Sequence, residues 1–138
     1  QDRVTVVAAG FSSYDVKKFA QGGALIRLDS TFSSYDIGKI AEIGKEKVTV
    51  ECEGISSYDV KKICQKGARV VLNSTFSSYD VLKTAEIGAD RVIIVDDGFS
   101  EYDIRKFIAA GAVVVDQWPL PLDERKRLRF KKLFQELN

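Results

Sequence analysis

Histidine and methionine are missing altogether from this chain of 138 residues, and it holds only two cysteines and two prolines. Without His there is no side chain whose ordinary pKa lies near neutrality, so an imidazole proton shuttle and Ser–His, Cys–His or His-bearing zinc sites are excluded. Cys52 and Cys64 match no metal or redox spacing, which points to a reducing compartment. The net charge of +1 gives no general attraction for nucleic acid or an anionic membrane. No apolar run approaches the roughly 20 residues that a membrane helix needs, and no secretory signal is visible, so a cytoplasmic location is expected. With no Met in the chain, Gln1 does not read as a native start.

What is present is one phrase written five times: an apolar residue, Ser, Ser or Glu, Tyr, Asp, Val or Ile, any residue, then Lys. It begins at Phe11, Phe32, Ile55, Phe76 and Phe99, in steps of 21, 23, 21 and 23 residues. Self-similarity at a fixed period marks a repeat architecture. Near-identical copies with no Met and no His suit an engineered or reconstructed chain, and a trimmed natural domain fits the same pattern.

Each copy reads as the start of a helix. Ser12 is placed as N-cap and Asp15 at the third helical position, a capping box with Asp in place of Glu. Ser33 with Asp36, Ser56 with Asp59, Ser77 with Asp80 and Ser100 with Asp103 repeat it. Phe11 and Val16 are placed to form a hydrophobic staple across the cap. Val16, Phe19, Ala20 and Gly23 then fall at i, i+3, i+4 and i+7, one apolar stripe about ten residues long. The closing glycines, Gly23, Gly44, Gly67, Gly88 and Gly111, stand where left-handed C-caps belong.

A β-rich stretch follows each glycine: Leu25–Leu28, Val48–Glu51, Val70–Leu72, Val92–Val95 and Val113–Val115, with Val4–Val7 ahead of the first helix. The longer steps add Lys45–Glu46 and Ala89–Asp90, so the full unit is a pair of βα hairpins, 44 residues long. Strands alternating with helices predict an α/β fold with a parallel sheet. Crossovers are right-handed, and every helix carries the same single stripe, so the units are expected to wind in one direction with all helices on one face. The expected form is a singly wound solenoid or open, half-barrel-like βα arc, the alternative being a doubly wound flavodoxin-like sheet. Arg27 and Arg69 are read on one sheet face, and Thr49 and Glu51 on the other.

Through its period and strand–helix order, the array over residues 4–117 resembles the leucine-rich-repeat-like α/β solenoids, although the Leu-x-x-Leu-x-Leu-x-x-Asn pattern of that family is not reproduced. The paired unit also resembles the quarter-barrel repeat of (βα)8 barrels, which six strands are too few to close. Residues 1–117 form the five-copy array, and residues 118–138 leave it. Trp118, Pro119 and Pro121 break the pattern, and Asp123 opens a basic helix with Phe130, Leu133, Phe134 and Leu137 on one stripe. Residues 122–138 hold six Lys or Arg against three acids. That helix is expected to cap the array.

Two groups carry candidate chemistry. Tyr14, Tyr35, Tyr58, Tyr79 and Tyr102 occupy one repeat position, with Lys18, Lys39, Lys62, Lys83 and Lys106 four residues on. Stacked units would line these up as parallel rows, suited to protein recognition or to planar ligands. The plainer reading packs each Tyr between neighbouring helices and pairs each Lys with the Asp three residues before it. The second group is acidic: Asp29, Glu51, Asp96 and Asp97, at the carboxyl edge of the sheet where α/β proteins bind ligands. Acid–base work or a hard cation would suit them, and so would helix-dipole compensation. No Gly-rich phosphate loop accompanies the helix starts. Cys64 falls in the helical stripe, a core position.

An active site would break the repeat symmetry, and the departures present (Gly38, Thr84, Glu101) do not converge on one unit. The expectation is a non-enzymatic repeat scaffold or protein-interaction module without cofactor, metal, nucleic acid or membrane, its partner a second copy or another protein. Apolar strands with helices on one side only favour a homodimer. The alternative is a small-molecule or phosphate-binding βα enzyme domain using the acidic edge.

Overall fold

Five serines begin five helices. Ser12, Ser33, Ser56, Ser77 and Ser100 keep extended backbone, and each hydroxyl accepts from the N–H of the Asp three residues on, at 3.1 Å in every case. Such a cap contributes about 1 kcal/mol. Three of the carboxylates reach the preceding helix, Asp80 while also accepting from its own Ser77 hydroxyl at 3.0 Å. Asp36 and Asp80 meet Lys17 and Lys61 of the preceding helix at 3.8 and 3.0 Å, and Asp103 accepts from the Ser78 hydroxyl at 2.7 Å. The same acids that favour the positive helix end thus tie one helix to the last. The aromatic ahead of the cap finds a ring on the helix: Phe11 meets Phe19 edge-on at 5.2 Å between centroids, and Phe99 meets Phe107 likewise at 5.1 Å.

The computed structural model describes residues 5–119. Strands β1 (Thr5–Val7), β2 (Leu25–Leu28), β3 (Val48–Glu51), β4 (Arg69–Leu72), β5 (Val92–Val95) and β6 (Val113–Val115) alternate with helices α1 (Ser13–Gln21), α2 (Ser34–Gly44), α3 (Ser57–Gln65), α4 (Ser78–Gly88) and α5 (Glu101–Ala109). All strands are parallel and lie in chain order, β1-β2-β3-β4-β5-β6, in one open sheet. A doubly wound sheet reverses its order part-way, so the flavodoxin-like alternative is excluded. The helix expected from Asp123 onward lies outside the described residues.

The helix ends divide into two kinds. After α1, α3 and α5, Gly23, Gly67 and Gly111 take positive φ as expected. Gly44 and Gly88 do not: they finish α2 and α4 in right-handed conformation, and positive φ falls on Lys45 (53°) and Ala89 (48°). With ψ of −130° and −117° these two sit where the first central residue of a type II′ turn sits, a glycine position. Each then opens a 3-10 turn, Lys45–Lys47 and Ala89–Arg91, which holds the two extra residues of the longer units. Gly44 and Gly88 answer to packing instead. A Cβ on Gly44 would stand 2.4 Å from Val48 Cγ2, and one on Gly88 2.4 Å from Cys64 Sγ and 2.8 Å from Val92 Cγ2.

The core lies between sheet and helices. Ile26, Leu28, Val48, Val50, Val70, Leu72, Val92 and Ile94 alternate along the strands and are buried in one cluster with the helical stripe, from Val16 and Ala20 to Phe107. Fully burying such a side chain contributes about 1.5–3 kcal/mol. Thr84, the one polar residue in the stripe, is buried with its hydroxyl donating to the Asp80 carbonyl at 2.8 Å. The opposite sheet face carries the alternate residues. Register pairs Arg27 with Thr49, Thr49 with Arg69, and Glu51 with Val71. Arg27, Arg69, Thr49 and Glu51 therefore share that helix-free face, correcting the split read from sequence. Pairing, not position within one repeat, decides the face.

Neighbouring residues in one turn should answer oppositely to substitution. Ala89→Gly relieves a backbone strain of about 1–3 kcal/mol and should raise the unfolding free energy by a net of about 1 kcal/mol once glycine's freedom in the unfolded chain is counted. Gly88→Ala overpacks the Cys64–Val92 contact and should cost about 1–3 kcal/mol. Denaturation of both variants checks the pair.

Candidate functional site

The five repeated tyrosines stand at the second position of α1 to α5, beyond the reach of the core. Tyr14, Tyr35, Tyr58, Tyr79 and Tyr102 are 64–71% exposed, among the most exposed large side chains described. They do not pack between helices. One turn on, the invariant lysines lie over the rings: Nζ of Lys18, Lys39, Lys62, Lys83 and Lys106 sits 4.9, 5.4, 4.6, 5.5 and 4.4 Å from its ring centroid. The i, i+4 spacing on a helix sets this contact, which contributes about 0.5–1 kcal/mol at exposed sites. Tyr58, hydrogen-bonded to Lys62, holds that ammonium above its ordinary pKa. Lys39 and Lys83 also meet Glu42 and Glu86 at 3.7 and 3.5 Å. The longer helices α2 and α4 thus partly neutralise their lysines. Because the strands lie in chain order, neighbouring helices pack side by side and carry the ring–ammonium pairs along one layer.

The acidic edge is tied into its own loops. Asp29 accepts from the Thr31 hydroxyl and, at 3.0 Å, from the Thr31 N–H, which together hold its carboxyl below the usual aspartate range. Asn73 repeats that turn with Thr75. Asp97 accepts from the Ser74 N–H at 2.9 Å, bridging two loops. Asp96 follows β5, its backbone N–H bonded to Val115 of β6. Glu51 ends β3 at that edge, with its side chain on the helix-free face. Asp29, Asp96, Asp97 and Glu51 therefore do not converge, and among the described residues no group of three or more Cys, Asp or Glu is gathered to hold a metal ion.

Around Glu51 the structure assembles a group that the sequence did not announce. One carboxylate oxygen accepts from Arg27 at 2.8 Å and from the Trp118 indole N–H at 2.6 Å. Residues 27, 51 and 118 are far apart in the chain, and only strand pairing and the turn after β6 join them. The single tryptophan was a visible signal, read there as a break in the repeat. Trp118 also packs on Val71, Ile93, Val113 and Val115, a second apolar cluster on this face.

Both cysteines are core residues. Burial pushes the Cys52 thiol up to about 12 and raises Cys64 as well, so neither supplies a thiolate near neutrality. Among the described residues no helix is long and apolar enough to cross a membrane.

Several carboxylates are held in their charged form by neighbours. Hydrogen bonds from Lys61 and Ser77 lower the Asp80 pKa, and those from Lys66 lower that of Glu42. A depressed carboxylate stabilises the fold above its unfolded pKa, about 4, and loses that contribution as pH falls through the folded value. The urea midpoint should therefore hold steady from pH 7 to 5 and decline below about pH 4. Lys61→Gln should lower it near neutrality, with the difference from wild type vanishing at the acid end.

No protein-family model matches the chain, and no curated protein matches it.

Proposed function

We propose that this chain is a non-enzymatic interaction module, a repeat scaffold of the α/β solenoid kind, whose Tyr–Lys row on the helical layer is presented to another protein. The observation that carries the reading is the exposure of all five rings, each about two-thirds open and each shelved under its own ammonium. A residue needed for packing between units would be buried, and these are not. Tyr is enriched in protein-binding hot spots because its ring offers area at low conformational cost. Helices pack about 8–10 Å apart, so a row of five offers an extended, regularly spaced surface rather than a pocket. The acids at the sheet edge close turns and bridge loops, which agrees with a scaffold. A second copy of the chain is one partner such a surface admits.

The row can be removed without touching the core. A Tyr35→Ser, Tyr58→Ser, Tyr79→Ser variant should keep its helical circular dichroism and stay folded, losing about 1.5–3 kcal/mol with its three exposed ring–ammonium contacts. Displayed protein or peptide libraries selected on wild type should yield binders that lose at least about tenfold in affinity on the variant, the loss expected when even one hot-spot ring goes. Binders that hold both proteins equally would overturn the reading.

A further inference from the structure

The helix-free sheet face is divided. Toward β1–β3 it carries Val7, Leu25, Arg27, Thr49 and Glu51, and β4 opens with Arg69; beyond Arg69, β4–β6 carry Val71, Ile93, Val113 and Val115. These four apolar side chains are only 3–6% exposed. Among the described residues, no helix lies on that side, and Trp118 is the side chain packed there from outside the sheet. One indole is too small to shield side chains spread over three strands.

Trp118 shows which way the chain leaves. It stands three residues past the end of β6, yet its indole reaches Glu51 on β3. That crosses three strand spacings, about 14 Å. After β6 the chain therefore folds back over this face. Residues 120–138 follow directly. Their stripe of Phe130, Leu133, Phe134 and Leu137 is apolar on one side, while nine of the other fifteen residues are charged. As a helix, residues 123–138 would be about 24 Å long, enough to cross β4–β6, which span about 10 Å. Point of departure and polarity agree.

We propose that the C-terminal segment, residues 120–138, is the occupant of the apolar half of the helix-free face, docking its Phe130–Leu137 stripe on β4–β6 beside Trp118. The fold then has three layers: five helices, the sheet, and one amphipathic segment of the same chain. The apolar part that called for a second copy is thereby covered in cis. This inference is independent of the Tyr–Lys row, which lies on the opposite side of the sheet.

Isotope-resolved NMR on the full chain tests it. Uniformly labelled protein should show NOEs from the Phe130 and Phe134 rings to the methyls of Val71, Ile93 or Val113. The same NOEs should be missing from a filtered spectrum of mixed labelled and unlabelled chains. Their appearance in the mixed sample would assign the face to a second copy, and their absence from both would leave it to neither; either result overturns the proposal. The single tryptophan gives a second reading. In a Leu133→Ser, Phe134→Ser variant, acrylamide quenching of Trp118 should rise several-fold while helical circular dichroism is kept. Unchanged quenching would also overturn it.

Discussion

Winding in one direction is the constraint on which everything else here depends. Six parallel strands in chain order place every crossover helix on the same side. A helix needs about 8–10 Å of width and a strand about 4.8 Å, so a layer with one helix per strand is crowded by construction. The crowding is met by alternation. Helices α1 with α2 and α3 with α4 pack more extensively than α2 with α3 or α4 with α5. Gly44 and Gly88 stand where a side chain would strike the following strand, and at Gly88 the partner helix as well. The 44-residue unit is the period of this alternation, and the positive φ of Lys45 and Ala89 repeats with it.

The same winding produces two unlike surfaces. On the helical side, every unit has the same neighbours, so a residue outside the stripe is repeated at equal exposure, as the tyrosines are. The ring–ammonium pairs and the Asp-to-Lys ties between helices are local consequences of a capping sequence that recurs. On the other side of the sheet no such uniformity holds. The alternate strand positions carry Val7 on β1, the polar Arg27, Thr49, Glu51 and Arg69 on β2 to the start of β4, and Val71, Ile93 and Val113 beyond. The repeat is strict where helices must pack and free where they do not.

Much of this was written locally. Helix starts, the buried stripe and the strands could be read because a cap needs Ser and Asp three residues apart and a stripe needs a 3.6-residue period. The strand ranges agree to within a residue over β2–β6. Misreadings arose where a local rule met a tertiary neighbour. Gly44 and Gly88 looked like left-handed caps because glycine serves both conformation and close approach, and a sequence does not say which. Asp36, Asp80 and Asp103 reached the preceding helix because it brings ammonium and hydroxyl groups close.

The amino-acid sequence by itself determined the elements and their succession along the chain, since each follows from backbone and capping chemistry within a few residues, while winding in one direction was decided only by the order in which the strands pair. It also determined that the tyrosines and lysines would share a face, because four residues is one helical turn. Only the tertiary structure decided that the tyrosines stay in solvent. Only strand pairing put Arg27, Thr49, Arg69 and Glu51 on one face, since register is a relation between strands. And only the turn after β6 brought Trp118 to Glu51, a contact across 67 residues that no local pattern encodes.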